Sequence, residues 1–223
     1  MKVSVVIPAF NEEEYIGTCL ESFMNQQVKA DEIIVVNNNS TDSTEDIVKK
    51  FPVTLLHLQE PNVIGARNVG FDSAKYAIIA RTDADSHVPT DWILKIKKDF
   101  KVHDIDALTG PISYYDTPMR SPRFSQIFYS AAQQLFHYPI LIGPNMAISK
   151  KIWKKIRTDV CLDPHEVHED IDLGIHIANA GGKIFTDQAL VVQSSGRRIV
   201  TRPQSFFIEY TQRLLKMKQT HQI

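Results

Sequence analysis

The sequence is poor in cysteine, glycine and net charge, and each shortage removes a class of protein. Two cysteines, Cys19 and Cys161, are too few and too far apart for a disulfide framework, and Cys19 falls on an apolar helical stripe, so reduced thiols are expected. None of the nine glycines lies in the turn directly after the first apolar run, Pro8-Ala9-Phe10-Asn11-Glu12, which excludes a Gly-rich dinucleotide turn or a Walker A loop there. A formal charge of −1 provides no basic field, so nucleic acid is excluded as a partner. No run reaches the roughly 18 apolar residues of a membrane span. The opening stretch from Met1 to Pro8 is too short and too soon interrupted for a signal peptide, so a cytoplasmic protein is expected.

What remains is a 223-residue chain of 43% apolar and 23% charged residues, the composition of one large globular domain. Its first half alternates strand and helix. Val3–Ile7 is a compact β-branched run suited to a strand buried on both faces, and Glu32–Val36, Val53–Leu58 and Tyr76–Ala80 are predicted as the next three strands. Helices are predicted over Glu12–Asn25, Ser43–Lys50, Val63–Ala74 and from Pro89 onward, the first with Tyr15, Ile16, Cys19, Leu20, Phe23 and Met24 on one stripe. This order implies an α/β fold with a mostly parallel twisted sheet, helices on both faces and ligands beyond the carboxyl ends of the strands. In the second half, helices are predicted over Ser121–Phe136, Glu169–Ala178 and Pro203–Met217, with short strands near Ala107–Thr109, Lys183–Phe185 and Leu190–Val192.

The polar clusters fall at the predicted strand ends. Thr82-Asp83-Ala84-Asp85 follows the fourth strand, and spacing i, i+2 on extended backbone puts both carboxylates on one side, where they suit a hard cation such as Mg²⁺ or Mn²⁺. Pro8-Ala9-Phe10-Asn11-Glu12 follows the first strand; its amides can hold a base or ribose, and Asn11 reads equally as a helix N-cap. Asn37-Asn38-Asn39 follows the second, offering amide groups that match a base edge. Arg67, in Gly65-Ala66-Arg67-Asn68, would orient Asp83 or meet a phosphate. His165-Glu166-Val167-His168-Glu169-Asp170 opens a helix. Its two histidines lack metalloprotease spacing, and its carboxylates suit a general base.

In order, Val5-Val6-Ile7-Pro8-Ala9-Phe10-Asn11-Glu12, Val36-Asn37-Asn38-Asn39-Ser40-Thr41-Asp42, Gly65-Ala66-Arg67-Asn68, Asp83-Ala84-Asp85, Gly143-Pro144-Asn145 and Glu169-Asp170-Ile171-Asp172-Leu173 resemble the motifs of glycosyltransferase family 2, an inverting family with the GT-A fold. The resemblance spans roughly residues 3 to 200. It implies transfer of a sugar from a nucleotide-sugar donor to a glycan or lipid-linked acceptor. Residues 1–110 would form the nucleotide-sugar-binding half, 111–202 the acceptor half, and 203–223 a C-terminal amphipathic helix. It implies donor contacts at Pro8, Ala9, Asn11, Glu12, Asn38, Arg67, Asp83, Ala84 and Asp85. Asp85 would be the direct metal ligand and Asp83 its partner near ribose, metal or Arg67. Asp170 would be the base, with Glu169 the alternative.

The chain departs from the family in having Asn37 and Asn38 where acids are common, which leaves the donor base open. It lacks the Gln-x-x-Arg-Trp motif of processive synthases, so single-sugar transfer is expected. Ser194-Ser195-Gly196-Arg197-Arg198 resembles an arginine-bearing segment that neutralises diphosphate, and reads equally as a solvated basic turn. A sugar nucleotidyltransferase would need a Gly-rich basic loop after the first strand, and a binding protein with a dead site would be expected to have lost Asp83, Asp85 or Asp170. Aromatic residues of the Ser121–Phe136 helix and the tail, with late arginines and lysines, admit a homodimer face or a peripheral contact with anionic lipid.

Overall fold

The computed structural model describes residues 1–118, 120–136, 138, 140–201 and 216–217, with the backbone alone at 128, 132, 135, 136 and 198. The predicted 203–223 helix lies outside the described residues, apart from 216 and 217. Ten strands and eight α-helices are formed by the described residues: β1 (Val3–Ala9), α1 (Ile16–Met24), β2 (Glu32–Asn37), α2 (Thr44–Val48), β3 (Thr54–His57), α3 (Val63–Ser73), β4 (Ile78–Arg81), β5 (Ser86–His87), α4 (Trp92–Val102), β6 (Ala107–Thr109), β7 (Ile112–Tyr114), α5 (Pro122–Phe136), β8 (Met146–Ser149), α6 (Lys150–Ile156), α7 (Glu169–Asn179), β9 (Ile184–Thr186), β10 (Val192–Ser194) and α8 (Arg197–Thr201).

The main sheet has the order β3-β2-β1-β4-β8-β6-β9. β1, β2, β3 and β4 pair in parallel, as the alternating first half predicts. β8, from the second half of the chain, inserts antiparallel between β4 and β6. β1 is central and buried on both faces, hence its apolar run, broken only by Ser4. Val5 and Ile7 face one core with Cys19, Leu20, Phe23, Trp92 and Ile96 of α1 and α4. Val6 faces the other, with Phe71, Trp153, Ile156 and Leu173 of α3, α6 and α7. Trp92 and Trp153 are fully buried, one in each layer, and truncating either would cost about 3–5 kcal/mol. Gly70 lets α3 approach β1, because an added Cβ would enter the Val6 side chain.

A second sheet, β5-β10-β7, packs beside the end of β4. It brings Ser194 and the following Ser195-Gly196-Arg197 over the turn after β4, a proximity that short strands of three residues or fewer do not signal in sequence. β5, β7 and α6 were not predicted, and β10 lies two residues later than expected.

Candidate active site

A cleft of about 390 Å³ opens at the carboxyl ends of β1, β2 and β4 and continues to the start of α7. Pro8, Ala9, Glu12, Asn38, Asp83, Ala84, Asp85, Glu169 and Asp170 all line it. A second cavity of about 400 Å³, lined in part by Met1 and Phe100, holds none of the candidate residues.

At the base end, Asn38 follows β2, and its backbone amide donates to Ala9 O at 2.8 Å. Its side-chain oxygen accepts from Asn62 N at 2.9 Å, where Asn62 caps α3. The carboxamide therefore presents its NH₂ side as the group left for a ligand. Asn11 differs from both expectations for it. α1 begins only at Ile16, so Asn11 is no N-cap; it sits at φ 52° in the turn after β1. Its side chain accepts from Thr41 N at 2.8 Å, which ties the β1–α1 and β2–α2 loops together outside the cleft lining.

The carboxylate pair after β4 is held by a turn, not by strand alternation. β4 ends at Arg81, and Ser86 N donates to Asp83 O at 3.1 Å. Thr82 anchors this turn by donating to Pro144 O at 2.7 Å. The outcome for the two carboxylates is the same, since both reach the cleft. Cys19 lies beneath the turn, its thiol donating to Asp83 O; burial, reinforced by Asp85, pushes that thiol far up, and both cysteines are free.

The arginine beside Asp83 is Arg81, not Arg67. Arg81 Nη2 lies 3.1 Å from Asp83 Oδ1 and 2.6 Å from Glu169 Oε1, and Nη1 lies 3.0 Å from Asp170 Oδ1. One buried guanidinium thus holds three carboxylates around one wall. Arg67 is wholly buried behind that wall, donating to Asn68 Oδ1 at 2.9 Å and to Glu169 O at 3.0 Å. It cannot meet a donor phosphate there, because nothing of it reaches the cleft. Sequence reasoning missed Arg81, although an arginine closing the apolar run Ile78-Ile79-Ala80 in a central strand demands buried partners.

Asp170 and Glu169 differ in access. Asp170 is 22% exposed at its side chain, and its second oxygen accepts from Gly143 N at 2.9 Å. Glu169 is 11% exposed, and its Oε2 is buried without a hydrogen bond. Burial raises the Glu169 carboxyl; Arg81 pulls it back and Asp170 pushes it further up.

The other wall comes from the segment after β10. Arg197 Nη2 lies 2.6 Å from Glu12 Oε2 and 3.4 Å from Asp85 Oδ2, with the guanidinium 4.3 Å above the Tyr15 ring. Asp116 fixes this segment by accepting from Ser195 Oγ and Gly196 N. Arg197 is therefore no solvated turn residue: it is paired to two of the predicted donor-site acids. Asp83 and Asp85 offer hard oxygen ligands on the cleft wall, which fits Mg²⁺ or Mn²⁺ completed by ligand oxygens and water.

The family model "Glycosyl transferase family 2" matches residues 4–157, well over half the chain. Glycosyltransferase GlyG of Streptococcus pneumoniae serotype 4 is 26% identical over 194 residues, covering 84% of this chain and 62% of its own. The chain spans between 17% and 62% of the length of the first curated relatives it matches. Among solved structures, the mannosyltransferase PcManGT of Pyrobaculum calidifontis, in complex with GDP-Man and Mn²⁺, is similar with a TM-score of 0.76 at 22% identity, over 99% of this chain and 64% of that one. The glucosyl-3-phosphoglycerate synthase of Mycobacterium tuberculosis, with Mn²⁺, UDP and glucosyl-3-phosphoglycerate, is similar with a TM-score of 0.72 at 16% identity, over 98% and 79%. These likenesses show the GT-A fold.

Proposed function

The chain belongs to glycosyltransferase family 2, and on that premise we propose that it moves one sugar per encounter from a nucleoside-diphosphate sugar to an acceptor hydroxyl, with inversion. The observation that carries this reading is the one cleft shared by Asp83, Asp85 and Asp170, in which Arg81 joins Asp83 to Asp170. The donor's base and ribose rest on the ends of β1 and β2, against Pro8, Ala9, Glu12 and Asn38. Its diphosphate lies over Asp83, Ala84 and Asp85. Asp85 with Asp83 would hold Mn²⁺ or Mg²⁺, which when bound offsets the charge developing on the leaving diphosphate. The Mn²⁺ in two fold-similar glycosyl-transfer proteins supports that choice.

Asp170 is the general base. It is the more accessible of the adjacent acids, and geometry precedes pKa in choosing a base. Arg81 and the Gly143 amide hold its two oxygens in place, while Arg67 and Arg81 hold Glu169 behind it. Residues 1–110 serve the donor and 111–202 the acceptor. Inversion follows from one direct displacement at the anomeric carbon.

The acceptor is a glycan or a lipid-linked precursor. α5 exposes Phe124 and Ile127, which supports a peripheral contact with lipid or a face shared with a second copy. No helix among the described residues is long and apolar enough to cross a membrane, and we place the enzyme in the cytoplasm, at most peripheral to the membrane's inner face.

Radiolabelled transfer from a panel of nucleotide sugars with Mn²⁺ tests this reading. Asp170→Asn should lower kcat by about 10²–10⁴ with donor binding retained. Asp85→Asn or a chelator should abolish transfer. Collapse in Glu169→Gln beside a normal rate in Asp170→Asn would move the base by one residue. A product that keeps the donor's anomeric configuration would remove the displacement mechanism.

A further inference from the structure

Three metal-ligating side chains of different chemistry converge behind the start of α7, and none lines the cleft. Asp172 and His176 stand one turn apart on α7, so their spacing puts them on one face. Cys161 comes from the stretch between α6 and α7, where its backbone amide donates to Asp172 Oδ2 at 3.2 Å. His176 Nε2 lies 3.3 Å from Asp172 Oδ1. The thiol, carboxylate and imidazole ligand atoms all lie within 4.8 Å of one another, and Asp172 is fully buried.

We propose that Cys161, Asp172 and His176 bind one Zn²⁺, with water in the fourth position, and that the ion pins the segment before α7 to that helix. The ligand set selects the metal. Sulfur, nitrogen and oxygen together suit tetrahedral Zn²⁺, whereas Mg²⁺ and Mn²⁺ favour oxygen alone. Zinc bonds of about 2.0–2.3 Å place neighbouring ligand atoms roughly 3.3–3.8 Å apart, a contraction that side-chain rotation supplies. On binding, the Cys161 thiol gives its proton to solvent as the sulfur–zinc bond forms. The carboxylate and a neutral imidazole contribute lone pairs.

The sequence carries a trace of this site. Three of the eight histidines, His165, His168 and His176, follow Cys161 within fifteen residues, and the ligand among them is the last. The pinned segment carries Pro164, Val167 and His168, which line the cleft, so the ion would stiffen the wall beside Asp170.

Cobalt titration of the full chain, stripped of metal, tests the proposal without any activity measurement. Wild type should develop a sulfur-to-cobalt charge-transfer band that saturates at one equivalent and is displaced by Zn²⁺. Asp85→Asn should retain the band, because a carboxylate site in the cleft has no sulfur. Cys161→Ser and His176→Asn should each lose it, and if Cys161→Ser does not fold, His176→Asn decides. No band in wild type, a band that persists in either ligand variant, or its loss in Asp85→Asn would overturn the site.

Discussion

Arg81 Nη1 stands 3.0 Å from Asp170 Oδ1, joining the end of a central strand to the first turn of α7 across 89 positions of sequence. The same guanidinium reaches Asp83 and Glu169, so the spacing between the carboxylate pair after β4 and the acids of α7 is set by one side chain that is 4% exposed. Arg81→Met takes the guanidinium from Asp83 and Asp170 and leaves the largely buried Glu169 with Arg67 alone. It should cost about 3–5 kcal/mol, measured by urea unfolding. Arg81→Lys keeps the charge but not the fork, so it should unfold at denaturant concentrations nearer wild type while transfer falls sharply. Equal activity in the lysine variant would mean that the spacing does not depend on the fork.

Gly143 has a negative φ, so alanine there is tolerated by the backbone; what it changes is Asp170. An added Cβ would lie 2.7 Å from Asp170 Oδ2, inside van der Waals contact, at the position where the Gly143 amide donates. Gly143→Ala should displace the carboxylate by a fraction of an ångström to one ångström and lower kcat by roughly 10²-fold, with donor affinity little changed. Steady-state kinetics alongside isothermal donor binding separate the two quantities. A fall in donor affinity with kcat intact would place Asp170 on the donor and not on the acceptor.

The two kinds of information in this chain were legible to different degrees. The core was readable because Val3–Ile7 and Tyr76–Ala80 have nowhere to go but a sheet buried on both faces, and the polar clusters fell at strand ends for the same reason. Partner choice was not. Arg67 and Arg81 are both arginines near Asp83 in sequence terms, and only the path of α3 behind the sheet decides that Arg67 meets Asn68 and Glu169. The pairing of Arg197 with Glu12 depends on β10 lying between β5 and β7, a register of two or three residues that no periodicity records. The distinction between Asp170 and Glu169 rests on exposure, which adjacent acids at a helix start do not reveal.

Glu32 sets an acid limit on the donor half. It accepts from Ser4 Oγ at 2.7 Å and from Lys75 N at 2.9 Å, joining β1, β2 and the turn that leads into β4. Burial alone would raise its carboxyl, but the Lys75 amide, the Ser4 hydroxyl and the Lys75 ammonium outweigh it and hold the group below the ordinary carboxylate range. A folded-state pKa below the unfolded one means that the unfolded chain binds more protons in acid. The stabilisation is therefore present above the unfolded value and is lost as pH falls through the folded one. Glu32→Gln should cost about 1.5–3 kcal/mol at pH 7, and the gap to wild type should close in acid. Urea midpoints measured from pH 7 to pH 3 check this; a constant gap would mean that the carboxylate charge contributes nothing.

Arg197 and a divalent cation seek the same carboxylate. The guanidinium lies 3.4 Å from Asp85 Oδ2 and is paired to Glu12, so it neutralises carboxylate charge that would otherwise attract the proposed metal. Removing it leaves Glu12 and Asp85 without that cation, and their mutual repulsion favours a metal. Arg197 is 26% exposed, which limits the effect to the modest range of a solvated pair. Arg197→Ala should therefore tighten Mn²⁺ binding to the nucleotide-free enzyme by about 3- to 10-fold, read from free Mn²⁺ by electron paramagnetic resonance. The same variant should raise the donor KM, because a guanidinium released from Asp85 by the metal is placed to meet the diphosphate. The two shifts have opposite signs, which separates competition from simple loss of structure: a damaged site would weaken both. If Mn²⁺ affinity is unchanged while donor KM rises, Arg197 serves the donor alone and its contact with Asp85 has no bearing on the metal.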